Sequence, residues 1–106
     1  MSEYNKLSDS QAKQLADKML TGWSVEENYL VKRTVLDDYN QVVRFFLAAE
    51  KPQRELDHHG HFYFVYDTVE IILFTHDTDS VTLKDFELAL HIDALLDKMN
   101  AKDLWN

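Results

Sequence analysis

HHGHFYFVYDTVEIILFTHD, residues 58–77, decides the fold. Phe62 to Tyr66 and Val69 to Thr75 are rich in aromatic and β-branched residues and flank the short turn Asp67-Thr68. The second run alternates Val69, Ile71 and Leu73 against Glu70, Ile72 and Phe74, the period-two pattern of a strand with one buried face. This stretch reads as an antiparallel hairpin. His58 and His59 stand at the approach to its first strand and His76 at the end of its second, so the chain reversal returns all three to one end of the sheet.

Working outward, Asp37 or Asp38 can cap a helix in which Val42, Val43, Phe45, Phe46, Leu47 and Ala49 recur at helical spacing. Pro52 lacks a donor and its ring clashes with the preceding turn, so it should kink or interrupt that helix. Upstream, Trp23 to Val25 and Tyr29 to Leu36 form a second hairpin around Glu26-Glu27-Asn28. Before it, Ser8 and Gln11 make a capping-box pair at the head of a helix bearing Ala12, Leu15, Ala16, Met19 and Leu20, which Gly22 ends. Downstream, Thr82 and Asp85 open a last helix with a broad apolar surface from Phe86 to Met99, wide enough to hint at an oligomer. The order α-β-β-α-β-β-α predicts an α+β fold, a four-stranded antiparallel sheet with three helices packed on one face.

Composition narrows the function. The 106 residues, 45% of them hydrophobic and 12% aromatic, suffice for a core in one domain spanning 1–106. With no cysteine, disulfides, thiol catalysis and thiolate metal sites are excluded, and a reducing compartment fits. No apolar run has the length of a signal peptide or a membrane span, so a soluble, cytoplasmic protein without a membrane partner is expected. Nineteen acidic against eleven basic residues give a formal charge of −8, which disfavours direct nucleic-acid binding.

Four of the five histidines, His58, His59, His61 and His76, surround the second hairpin. Imidazole is the side chain suited to move protons near neutral pH, so acid–base catalysis is one reading. Polar strand ends are the plainer one. A metal site with Asp57 and Asp77 as carboxylate ligands is a third, weakened because adjacent histidines seldom share an ion. An EF-hand beginning at Asp77 would need glycine at Thr82 and glutamate at Leu88 and is excluded. His91, beside Glu87 and Lys98, belongs to a solvated helix face. Nucleophile elbows and phosphate-cradling glycine loops are absent.

The spacing His58-His59, Tyr66, His76-Asp77, Thr82 and Asp85 resembles the signature of the pterin-4a-carbinolamine dehydratases, and the match runs from about Trp23 to Ile92. The resemblance implies subunits that join sheets edge to edge as homodimers and pair again as homotetramers. It also implies dehydration of 4a-hydroxytetrahydropterin to quinonoid dihydropterin, in tetrahydrobiopterin recycling, without a metal or organic cofactor. His58 and His76 are then the acid–base pair, and His59 binds the pterin substrate with Glu55, Asp57, Tyr66, Thr75 and Asp77. Family members also serve as protein partners, as dimerisation cofactors of transcription factors or assembly factors, and a related pterin-like ring is a further substrate class.

Two positions depart from the family pattern. Gly60 stands where proline follows the paired histidines, which should loosen the loop. Arg54 stands where an acidic residue is expected, a reversal that could alter the titration of its neighbours or the pterin contact, with adjacent Glu55 as a substitute if Pro52 turns the helix.

Overall fold

The computed structural model describes residues 6–103. Its elements are α1 (Asp9–Met19), β1 (Trp23–Glu26), β2 (Tyr29–Val35), α2 (Tyr39–Leu56), β3 (His61–Val65), β4 (Thr68–Leu73), α3 (Leu83–Lys98) and β5 (Lys102–Asp103). The Ser8 hydroxyl accepts the Gln11 N–H at 3.1 Å while the Gln11 side chain accepts the Ser8 N–H at 2.9 Å, so α1 starts on the expected capping box. Asp38 caps α2 through the Gln41 N–H at 2.9 Å.

The strands pair antiparallel in the order β1-β2-β4-β3. β1 and β2 join through Glu27-Asn28, both at positive φ (52° and 70°), the geometry that matches the twist of a two-residue hairpin. β5 adds to β2 through Thr34↔Asp103 and Val35↔Lys102, a pairing too short to leave a pattern in the sequence. Val69, Ile71 and Leu73 of β4, with Leu30 of β2, share one core cluster with Ala12 and Ala16 of α1, Val42, Phe45 and Ala49 of α2, and Phe86, Ala89 and Ile92 of α3. The helices therefore cover one sheet face and leave the other open, as alternation along β4 dictates.

Three expectations are corrected. The β3–β4 turn is Tyr66-Asp67, one residue earlier than expected, because Val65 pairs with Thr68 and so keeps Phe62 and Phe64 opposite Ile71 and Val69. Pro52 does not interrupt α2, which runs four residues further to Leu56. Its ring is buried, and the carbonyl it deprives of a donor belongs to Ala48, an exposed residue whose oxygen can turn to water. The broad apolar surface of α3 is mostly buried, with Leu83 and Leu90 exposed, and the larger exposed one lies on α2 and β3 at Val43, Phe46, Leu47, Tyr63, Phe64 and Val65.

Candidate functional site

α2 ends abruptly at Asp57, whose left-handed backbone (φ 51°) turns the chain toward β3. The His58 N–H donates to the Gln53 carbonyl at 3.0 Å, so the two histidines leave the helix on a fixed path. Gly60 does not free this loop as expected. Its N–H donates to Gln53 Oε1 at 3.0 Å, a bond proline could not make, and an added Cβ would lie 2.4 Å from Leu73 Cδ2.

At the far side, β4 ends at Leu73, and Thr75 and Ser80 bridge to close the loop that carries His76 and Asp77. Thr82 then starts α3. Asp85, three residues on and fully buried, accepts the Thr82 N–H at 2.9 Å and the Thr75 hydroxyl at 3.0 Å on Oδ2. The Thr82 and Thr75 hydroxyls are themselves 2.7 Å apart, so one proton arrangement satisfies the set: Thr82 donates to Thr75, and Thr75 to Asp85. Oδ1 of Asp85 meets His58 Nε2 at 2.6 Å, with the His58 side chain only 10% exposed. With Oδ2 already accepting two bonds, Oδ1 is placed to accept a hydrogen bond from Nε2–H, the tautomer of His58 in which Nδ1 carries no proton.

That cleft has a volume of about 370 Å³ and is lined by Asp57, His58, His59, Thr75, His76, Asp77 and Lys84. His76 is exposed and rests on Phe74 (ring centroids 4.6 Å) and His61 (5.4 Å). Thus one imidazole held by a buried carboxylate and another standing in solvent meet at one cleft from two different loops. The arrangement suits proton delivery and removal on a single small molecule. Among the described residues no group of three or more side chains is placed to hold a metal ion.

The structure brings together His58, His59, His76, Asp57, Thr75 and Asp77, although the Thr75 hydroxyl is bonded to Asp85. It does not bring Glu55 or Tyr66. Glu55 is exposed on α2, and Tyr66, 66% exposed, sits in the turn at the opposite end of the β3–β4 hairpin. Arg54 lies away from the cleft: its Nε donates to Glu50 Oε2 at 2.7 Å one helical turn back, and that bond holds the Glu50 carboxyl below the usual carboxylate range. Sequence reasoning missed Asp85 as the partner of His58 and Lys84 as a cleft residue. Asp85 was visible as a helix cap and as a member of the family signature, but nothing local ties it to a histidine 27 residues earlier.

The fold and cleft together define an α+β protein with three histidines gathered at one cleft at the end of its sheet. A sequence model described as pterin 4 alpha carbinolamine dehydratase matches residues 5–95, and the chain belongs to that family. It is 30% identical over 92 residues to a Burkholderia multivorans protein and 34% identical over 88 residues to one from Bradyrhizobium, each provisionally named a pterin-4-alpha-carbinolamine dehydratase. These matches cover 86% and 81% of this chain and 90% and 88% of the relatives. A crystal structure of a transcriptional coactivator/pterin dehydratase from Brucella melitensis superposes with a TM-score of 0.80 at 26% identity, over 86% of this chain and 98% of the other. A pterin dehydratase-like RuBisCO assembly factor of the alpha-carboxysome shares the fold, with a TM-score of 0.61 at 22% identity over 73% and 92% of the two chains.

Proposed function

We propose that this protein dehydrates a 4a-hydroxytetrahydropterin to the quinonoid dihydropterin. The observation that carries the reading is the His58–Asp85 pair facing the same cleft as His76. The elimination breaks the C4a–oxygen bond, with a proton delivered to the departing hydroxyl so that water leaves. A proton is taken from the neighbouring ring nitrogen, whose electron pair forms the carbon–nitrogen double bond. His58, with Nδ1 free as a base, and His76, exposed and able to exchange protons with solvent, supply the two roles. His59, Asp57 and Asp77 line the cleft around the ring, where their donors and acceptors match a pterin's polar edge.

Wild-type protein added to freshly generated 4a-hydroxytetrahydropterin should speed dehydration over buffer, and the His58→Ala, His76→Ala double variant should not. Equal rates with folded wild type and with buffer would rule the reading out. The exposed apolar residues of α2 and β3 favour self-association along the β3 edge, since β3 is the edge strand next to β4 and itself carries the exposed Tyr63, Phe64 and Val65, a ready pairing surface. Sedimentation at the monomer mass across micromolar concentrations would remove that part. Among the described residues no helix is long and apolar enough to cross a membrane.

A further inference from the structure

The α2–β3 connection, residues 57–60, carries two of the cleft's histidines and ends in a glycine. A loop this short aims its side chains reproducibly only if its backbone groups are tied to something rigid. Here the ties converge on Gln53, in the last turn of α2. Its carbonyl accepts the His58 N–H at 3.0 Å, and its side-chain Oε1 accepts the Gly60 N–H at 3.0 Å. Its Nε2 donates to the Ala49 carbonyl at 3.0 Å. The amide is thereby locked in one orientation, because a flip would set oxygen against the Ala49 oxygen and NH₂ against the Gly60 N–H. The other half of the device is Gly60 itself, which lies so close to Leu73 that a Cβ would come within 2.4 Å of its Cδ2. Bare backbone lets the chain settle there, and the N–H then meets Gln53.

Resting on the dehydratase reading, we propose that Gln53 is a positioning residue, clamping His58–Gly60 to α2 and so setting the aim of His58 and His59. The clamp matters most for His59. It stands between the catalytic cleft and a second groove lined by Phe46, Gln53, Gly60, His61, Phe62 and Tyr63, so a slack loop lets its ring turn from one to the other. His58 has a second anchor in Asp85, whereas His59 is exposed.

The test compares Gln53→Leu, which removes both side-chain bonds, with Gln53→Glu, which keeps an acceptor for the Gly60 N–H. In the dehydration assay Gln53→Leu should lower kcat/KM about tenfold, the scale of one lost hydrogen bond, chiefly through a raised KM, and Gln53→Glu should recover most of it. The NMR ring resonances of His58 and His59 should move in Gln53→Leu while that of His91 stays in place. Wild-type KM together with unmoved His58 and His59 resonances in Gln53→Leu would overturn the proposal. If wild type neither turns over nor binds a pterin, the dehydratase reading fails by itself, and the ring resonances still decide whether Gln53 holds the loop.

Discussion

α3 carries two carboxylates against the sheet, Asp85 in its first turn and Asp93 further along, and they are used differently. Asp85 is surrounded by neutral donors, two threonines and a backbone N–H, and its remaining oxygen holds a histidine that opens onto a cleft. Asp93 is surrounded by groups that close on it. Its Oδ1 accepts Trp23 Nε1 at 2.8 Å and Lys32 Nζ at 3.2 Å, and Lys32, only 5% exposed, also donates to the Thr21 carbonyl at 3.1 Å. A larger cleft of about 450 Å³ lies beside this second cluster, lined by Met19, Lys32, Leu90 and Asp93 among others. Size does not make it the site. Its charges are partnered within the protein, whereas the smaller cleft presents imidazoles whose protons can go to a ligand. On the proposed function, the pair teaches that a buried carboxylate serves chemistry when its last partner is titratable and opens onto a cleft, and serves folding when its partners face one another.

The sharpest way to break this contrast is to remove each cluster's titratable partner. His76→Ala should reduce turnover by roughly 10²- to 10⁴-fold, the usual worth of a positioned acid or base, with an unchanged unfolding transition. Turnover within a few-fold of wild type would detach His76 from the chemistry. Lys32→Met should do the converse, lowering the unfolding free energy by about 3 kcal/mol because Asp93 is left charged without its cation, and keeping turnover. A urea titration checks it, and an unshifted midpoint would mean that water already carries Asp93.

A smaller effect sharpens the account of Asp93. Burial, outweighing the Trp23 and Lys32 contributions, pushes its carboxyl above the ordinary aspartate range. The native state then keeps a proton that the unfolded chain has released, so folding loses stability as pH rises from the ordinary aspartate range through the raised one. The stability of wild type relative to Asp93→Asn should fall across that window. A flat difference between the two would place Asp93 in a better-solvated setting.

How much of this was legible in the sequence depended on whether the cause was local. The Ser8–Gln11 capping box, the Asp38 cap and the alternation of Val69, Ile71 and Leu73 are short-range signals, and the structure follows them. The gathering of His58, His59 and His76 followed from hairpin geometry. Tyr66 entered the candidate site through the family resemblance alone, although a residue beside the β3–β4 turn stands at the end of the hairpin away from the histidines. The contacts that Asp85, Lys84 and Gln53 make around the cleft went unread for the opposite reason to the histidines. Each residue sits on a helix where its type is ordinary, and its role comes from a contact with a distant or differently oriented segment.

The most direct test is the dehydration rate of Asp85→Asn measured beside Asp93→Asn. An amide at 85 would present its NH₂ to His58 Nε2 and force the proton onto Nδ1, removing the base from the cleft without emptying the core. The account predicts at least a tenfold loss for Asp85→Asn and wild-type turnover for Asp93→Asn in folded protein. Equal rates in the two variants would contradict it.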